Sequence, residues 1–174
     1  MYFKKVSDDF DYNQYNCGVI TDFYGKDKKG LTYYRIDNSN DHLFNYIKKP
    51  YRQHFTISLL DINVPFVLPH TDSRIQVSIN FYIHTNNCKT SFYKFNNDNY
   101  LERKIPNQTN GSVFNLKDLT EVDSFIAKNK EVYVLNVSQP HSVTALSITK
   151  DSRIVICLQT NFLTYQETLS VLNF

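Results

Sequence analysis

The central and C-terminal parts of the chain alternate apolar and polar side chains with the period of two that is typical of β-strands. The clearest case is Arg74–His84. Its apolar face carries Ile75, Val77, Ile79, Phe81 and Ile83, and its polar face carries Gln76, Ser78, Asn80 and Tyr82. In Arg153–Gln159, one face carries Ile154, Ile156 and Leu158, and the other carries Arg153, Val155 and Cys157. Both segments therefore predict strands with two chemically different faces.

Further short apolar runs predict more strands, at Tyr33–Tyr34, His54–Ile62, Pro65–His70, Thr90–Phe95, Glu131–Val137 and Ser142–Ile148. Residues 96–112 are polar and predict a long loop, and Lys150-Asp151 predicts a hairpin turn. Three short helices are expected: Asp41–Lys48, a tail helix after Leu163, and one with apolar side chains at helical spacing, namely Leu116, Leu119, Val122, Phe125 and Ile126. Asn115 or Asp118 would cap this last helix.

Seven or eight short strands from residue 54 onward, with little helix, predict a mainly β sandwich or barrel, and a jelly-roll of two facing sheets is the architecture that best protects the sheet edges. The 174 residues fit a single domain, residues 1–174. Within it we expect an N-terminal extension that packs on the core (1–53), the jelly-roll core (54–160) and a C-terminal tail (161–174).

Composition and charge narrow the class of protein. Aromatic residues make up 15% of the chain, which excludes a disordered protein. No apolar run is long enough for a membrane span, and the N-terminus lacks a secretory signal, so a cytoplasmic location is expected (the host cytoplasm if the protein is viral). The net charge of +2 does not predict strong binding to duplex nucleic acid. Three cysteines without a CxxC pair fit a reduced compartment.

The sequence His70-Thr71-Asp72 places an imidazole and a carboxylate two residues apart. On an extended chain both side chains point to the same face and can hold a divalent metal from one side. The best candidate for a third ligand is His141, which follows Pro140. Two histidines and one carboxylate form the facial triad of non-haem Fe(II) oxygenases, whose open positions accept a 2-oxoacid and dioxygen.

Arg153 begins the last predicted strand, among apolar side chains. A charge in such surroundings needs an anionic partner, because burying it unpaired costs much free energy. A guanidinium group binds a carboxylate through two parallel hydrogen bonds. The distal carboxylate of 2-oxoglutarate would satisfy Arg153.

The order His-x-Asp, His and Arg lies within the segments PHTDSRIQVSINFYI, TSFYKF, EVYVLNVSQPHSV and RIVICLQT. It resembles the Fe(II)/2-oxoglutarate-dependent oxygenase superfamily, most closely small phage and bacterial members and the prolyl- and aspartyl-hydroxylase-like branches. The resemblance covers roughly residues 54–160. It implies a double-stranded β-helix, a hydroxylase activity that uses O2, His70, Asp72 and His141 as iron ligands, and Arg153 as the partner of 2-oxoglutarate.

Each candidate residue also has a simpler interpretation. His70 and Asp72 could form only a hydrogen-bonded pair, His141 could lie in a surface turn, and Arg153 could pair on the surface with Asp151 or Glu131. The polar face with Asn80 and Tyr82 could bind a carboxylate of the cosubstrate or simply be solvated. Arg74 could line a substrate entrance or face solvent. Structural or exposed positions are expected for the remaining histidines, His42, His54 and His84.

Two other functions compete with the oxygenase. A jelly-roll binding or virion structural module would carry the same three residues without catalysis. A cupin-type isomerase or dioxygenase would use the metal without 2-oxoglutarate, and Arg153 would then bind another acid. The substrate of an oxygenase could be a small molecule or a peptide, and the sequence does not define the oligomeric state.

Overall fold

A computed structural model describes residues 1–11, 20–27, 31–36, 42–97, 103–104, 110–147 and 151–174. Its described residues form two antiparallel sheets. The larger sheet contains β1 (Phe3–Ser7), β11 (Val132–Asn136), β6 (Val77–His84), β13 (Arg153–Thr160), β4 (Thr56–Ile62), β3 (Leu31–Ile36) and β2 (Ile20–Asp27), in that order. The smaller sheet contains β10 (Leu119–Ile126), β7 (Cys88–Phe95), β12 (His141–Ala145), β5 (Phe66–Asp72), β9 (Asn110–Val113) and β8 (Arg103–Lys104).

The pairing of the core strands is nested, as in a rolled-up hairpin. The first core strand pairs with the last, β4 with β13, and the next pairs move inward: β5 with β12, β6 with β11, and β7 with β10. Two further ladders, β6 with β13 and β7 with β12, join these pairs into sheets. This is the jelly-roll predicted from the sequence, a mainly β protein of two facing sheets with few short helices.

Alternation on β6 and β13 divides the apolar residues between two cores. One core lies on the outer side of the larger sheet, where Ile79, Phe81 and Ile156 pack under the tail and the segment before β4. The other lies between the sheets and includes Tyr82, Phe92 and Val155. The faces predicted for the two strands are therefore confirmed, and the polar face of β6 is buried between the sheets.

One predicted helix is wrong. Residues 119–126 form strand β10, and only Leu116–Asp118 forms a short 3-10 turn, which Asn115 caps by accepting a hydrogen bond from the amide of Lys117. The pairing of β10 with β7 shifts between Glu121 and Asp123, at a β-bulge. Because the extra residue reverses which face the side chains point to, the apolar spacing of this strand imitates that of a helix.

The remaining helical predictions have mixed outcomes. The tail helix is confirmed as α1 (Tyr165–Ser170), which begins with a capping box between Thr164 and Glu167. The region of Asp41–Lys48 contains a 3-10 helix, His42–Tyr46, and a second one spans Lys49–His54. The predicted loop at 96–112 contains the short strands β8 and β9 at its described positions. Asp41, Cys17 and Lys150 lie outside the described residues.

Residues 1–53 contribute three strands to the larger sheet. β1 pairs with β11, and β3 joins β2 to β4. Phe3 and Tyr2 contact Phe92 between the sheets, with ring centroids 5.7 Å apart in both cases. Among the described residues, no helix is long and apolar enough to cross a membrane.

Candidate metal centre

The two candidate histidines are neighbours across one strand pair. His70 lies near the end of β5 and His141 begins β12, and the two residues are directly opposite in the antiparallel ladder. Their rings lie 4.3 Å apart between centroids. Asp72, two residues after His70, brings its Oδ1 to 3.5 Å from Nε2 of His70 and 3.8 Å from Nε2 of His141. The nested pairing thus brings together residues seventy positions apart in the sequence.

Backbone carbonyls orient both imidazole rings. Nδ1 of His70 lies 2.7 Å from the carbonyl oxygen of Leu68, and Nδ1 of His141 lies 2.9 Å from that of Gln139. In a neutral ring, the nitrogen that faces a carbonyl carries the proton, so Nε2 keeps its lone pair. Both Nε2 atoms face Asp72, which is the arrangement that a metal ion requires of imidazole ligands.

Burial and charge set the protonation of the three groups. Burial first and the neighbouring His70 second lower the pKa of His141 to about 4, although Asp72 raises it in part. Burial alone would raise the pKa of Asp72, but the imidazole groups of His70 and His141 beside the carboxylate outweigh it and leave that pKa below its usual range. Near neutral pH the site therefore offers a neutral His141 and a carboxylate.

These three residues fit a divalent metal by the chemistry of their donors. The candidate ligand atoms all lie within 4.8 Å of one another. Two imidazole nitrogens with one carboxylate suit Fe(II) and neighbouring first-row metals. Cys157 lines the same cavity, and burial raises the pKa of its thiol to about 12, but Cys157 does not belong to the group of three residues whose ligand atoms lie together.

Arg153 lies in the cavity that also holds the three candidate ligands. Arg153 is only 3% exposed. One guanidinium nitrogen, Nη2, donates to the Tyr82 hydroxyl at 2.8 Å and to Oγ1 of Thr90 at 3.1 Å. The other two nitrogens, Nε and Nη1, are buried and have no hydrogen-bond partner among the described residues. A surface pair with Asp151 or Glu131 is therefore excluded.

The unpartnered nitrogens of Arg153 indicate a place for an anion. Leaving charged donors buried without a partner is costly, so a carboxylate that filled this end of the cavity would be strongly favoured. Since the hydroxyls of Tyr82 and Thr90 accept from Arg153, their own hydrogens remain available to the same anion. Thr90 was not among the sequence-based candidates, although it shares the inward face of β7 with Phe92.

Two more residues of the polar face of β6 line the cavity. Asn80 is buried, and its Oδ1 accepts a hydrogen bond from the Ser78 hydroxyl at 2.6 Å. The amide NH2 of Asn80 is thereby left as a donor toward the cavity. The interpretation of this face as solvated is wrong, and so is that of His141 as a surface turn residue, because both are buried between the sheets.

The wall around Arg153 is apolar, with Leu31, Ile62, Val67 and Val143 packed as one cluster. With its open mouth, the cavity encloses about 570 Å³. This volume includes open solvent at the mouth. The lining is mostly apolar and carries a few well-placed polar groups, as is typical of small-molecule sites. The other candidate residues lie outside it, since Arg74 is exposed and His42, His54 and His84 do not line the cavity.

No protein-family model matches the chain, and no curated protein matches its sequence. Among solved structures, vicilin from Corylus avellana (hazelnut) matches 79% of the chain with 12% identity and a TM-score of 0.46. The 7S globulin of Momordica charantia matches 94% with 10% identity and a TM-score of 0.48. L-ribose isomerase from Geodermatophilus obscurus matches 75% with 12% identity and a TM-score of 0.41.

These likenesses are remote. The matches cover 30% of the hazelnut vicilin, 35% of the Momordica globulin and 60% of the isomerase. With TM-scores below 0.5 they carry no conclusion about this chain. The strand pairing itself shows a jelly-roll of two sheets, in which the buried His70 and His141 and the half-buried Asp72 could hold a metal ion.

Proposed function

We propose that this protein is an Fe(II)- and 2-oxoglutarate-dependent oxygenase that hydroxylates a C–H bond and releases succinate and CO2. The observation that carries the proposal is the pair of sites in one cavity, a His70–Asp72–His141 group and a buried Arg153 with unpartnered nitrogens. A metal site alone would fit many functions. A metal site that shares its cavity with an anion-binding arginine fits a cosubstrate that has both a chelating end and a distal carboxylate.

The metal ligands have distinct roles in this proposal. His70 and His141 present Nε2 lone pairs that are fixed by the carbonyls of Leu68 and Gln139. Asp72 supplies the single negative charge and is ionised near neutral pH. Bound Fe(II), with 2-oxoglutarate and O2, would supply the oxidising power that the side chains themselves lack.

The opposite end of the cavity orients the cosubstrate. Arg153 would bind its distal carboxylate through Nε and Nη1, with the hydroxyls of Tyr82 and Thr90 as further donors. Asn80, whose amide faces the cavity, would bind the carboxylate next to the 2-oxo group. The apolar wall excludes water, which strengthens these charged hydrogen bonds.

Metal binding is the first test. Anaerobic calorimetry with Fe(II), and with Mn(II) or Co(II) as substitutes, should give one ion per chain. His141→Ala should lose most of the affinity, whereas His42→Ala, at an exposed position outside the cavity, should retain it. If the double variant His70→Ala/His141→Ala still binds one equivalent, the ligand assignment is wrong.

Cosubstrate binding is the second test, and pyruvate provides an internal control because it has the 2-oxoacid end without the distal carboxylate. Removing one side of a charged pair typically costs about 2–5 kcal/mol, so Arg153→Met should raise the dissociation constant of 2-oxoglutarate roughly thirty- to several-thousand-fold. Metal and pyruvate affinities should not change. Unchanged 2-oxoglutarate affinity would show that another residue holds the carboxylate.

Turnover separates an oxygenase from a protein that only binds a metal. Wild-type protein with Fe(II), ascorbate and 2-oxoglutarate should form succinate, and Asp72→Asn should abolish this while the protein still unfolds cooperatively. If no succinate forms, crystals soaked anaerobically with Fe(II) and 2-oxoglutarate decide the matter. Electron density for the oxoacid between the metal and Arg153 supports the proposal, and its absence contradicts it.

A further inference from the structure

An aromatic pair, formed by half-buried His54 and exposed Phe162, lies near the C-terminal end of β13, where Gln159 lines the cavity. His54 and Phe162 stack with ring centroids 4.2 Å apart and planes only 4° apart. Phe162 is 66% exposed, the largest exposed fraction of any aromatic side chain among the described residues. One face of the Phe162 ring packs on the imidazole of His54, while much of the ring remains exposed to water. Another planar ring can therefore stack on Phe162.

Strand connections place this pair near the metal site. Phe162 comes three residues after Gln159, which lines the cavity. The turn that follows Asp72 is tied to the same segment, because Gln76 donates from its amide to the carbonyl of Thr160 at 2.9 Å and from Nε2 to that of Asn161 at 3.2 Å. The Asp72 side chain is 15% exposed, more than either histidine side chain, so the triad reaches solvent at this end.

Cationic residues are clustered in the sequence immediately before His54. The segment KKPYRQH, which ends at His54, contains three cationic residues, and no acidic residue occurs between Asp41 and Asp61. Tyr51 in this segment is 38% exposed. Arg74 lies on the turn after Asp72 and has a left-handed backbone, with φ of 60°, and an exposed side chain. We define the rim as Lys49, Tyr51, Arg52, His54, Arg74 and Phe162.

We propose that the rim binds single-stranded nucleic acid, with one base stacked on Phe162 and neighbouring phosphates at the cationic side chains. Stacking on an aromatic ring combined with backbone contacts to cations is the general mode by which proteins bind single strands. Bases of a duplex already stack on each other and cannot reach an isolated ring. That such a base is also the substrate of the cavity rests on the proposed function, whereas binding to the rim does not.

Fluorescence anisotropy tests the proposal with labelled dodecamers of thymidine and of uridine, and with a matched duplex, all in EDTA so that neither metal nor 2-oxoglutarate contributes. Both single strands should bind more tightly than the duplex. The thymidine and uridine arms show whether DNA or RNA is preferred. A labelled poly-glutamate peptide reports binding to any anionic chain.

Matched variants locate the binding surface. Phe162→Ala should weaken single-strand binding by at least about fivefold, since base–aromatic stacking contributes roughly 1–3 kcal/mol per base. Phe174→Ala should have no effect, although Phe174 is also exposed and stacked, on Tyr46. Lys49→Gln and Arg74→Asn should each reduce the slope of log affinity against log salt by about 0.7 per lost phosphate contact. Lys128→Gln, at an exposed position in the connection between β10 and β11, should leave it unchanged.

Three results would overturn the proposal. The first is that neither single strand binds. The second is that the duplex or poly-glutamate binds as tightly as the single strands. The third is that Phe162→Ala does not weaken single-strand binding. None of them bears on metal or 2-oxoglutarate affinity, which are measured separately. Conversely, loss of metal binding in His141→Ala with intact single-strand binding would leave the rim assignment unaffected.

Discussion

At the scale of single residues, the candidate metal centre includes one histidine, His141, that is kept neutral by its surroundings. His141 is buried beside His70, and its pKa falls from 6.5 to about 4. At a pH between these two values, His141 binds a proton in the unfolded chain but not in the folded protein. The consequence is a dependence of stability on pH that can be measured without any metal.

We expect the metal-free protein to lose stability as the pH falls from 6.5 to 4. In this window the unfolded chain binds a proton at His141 and the folded chain does not, so the free energy of unfolding decreases with falling pH. At 1.36 kcal/mol per pKa unit, the total loss is about 3 kcal/mol. Urea unfolding in EDTA at several pH values measures it.

His141→Gln should remove most of this slope, and His42→Gln, at an exposed position, should preserve it. A wild-type stability that is constant between pH 6.5 and 4 would show that His141 is not held neutral. Asp72 acts at lower pH, because its lowered pKa stabilises the folded state above the unfolded pKa of 3.8 and that contribution is lost as the pH falls further.

At the scale of strands, the close approach of β9 to β5 supports the ligand Asp72. Gly111 on β9 lies so near β5 that a Cβ atom there would be 2.8 Å from the carbonyl oxygen of Thr71 and 3.1 Å from that of Asp72. Both contacts are with backbone atoms, which cannot rotate away as a flexible side chain can. Only glycine allows this strand pair to close at the metal site.

Gly111→Ala should therefore push β9 from β5 and displace Asp72. Overpacking of this kind typically costs about 1–3 kcal/mol. We expect a lower melting temperature together with weaker metal binding. Lys94→Ala, at an exposed position of β7 in the same sheet, should change neither. Normal metal affinity in Gly111→Ala would mean that the position of Asp72 does not depend on β9.

The strands also show what the sequence alone can predict. Strict alternation on β6 and β13 correctly indicated which side chains face the space between the sheets, because an unbroken strand has only one possible period. The bulge in β10 breaks the alternation at Val122, and the helix predicted there was wrong for that reason. Strand β1 was missed because its short segment, FKKVS, lacks a clear pattern.

The candidate site was predictable where ligands lie close in sequence, as do His70 and Asp72, or follow a strand in the expected order, as do His141 and Arg153. Thr90 was not, because its contact with Arg153 depends on how the two sheets face each other. The aromatic rim was not foreseen either. His54 and Phe162 stack although they are more than a hundred positions apart in the sequence. A local sequence pattern contains no information about such a long-range contact.

At the scale of the whole molecule, the N-terminal strand and the metal centre share one aromatic cluster. Phe3 contacts Phe92, Phe125 and Tyr133. Phe92 in turn lies 5.8 Å from the ring of His141, measured between centroids. The first residues of the chain therefore help to pack the side chain that supports a metal ligand.

Phe3→Ala should destabilise the protein by about 2–3 kcal/mol, less than the cost for a fully buried phenylalanine because Phe3 is only partly buried. Lys4→Ala, on the same strand but exposed, should cost little. Chemical denaturation of both variants provides the measurement. Equal stabilities of the two variants would show that β1 is held by its backbone pairing with β11 alone.

The nested pairing of the core strands also has a consequence for synthesis on the ribosome. β4 emerges early, but its partner β13 is translated about a hundred residues later, and His141 and Arg153 belong to this last part. From residue 72 until residue 141 has been added, the nascent chain carries only two of the three candidate ligands. Closure of the barrel, and with it completion of the candidate metal site, is thus expected only after β13 has left the exit tunnel.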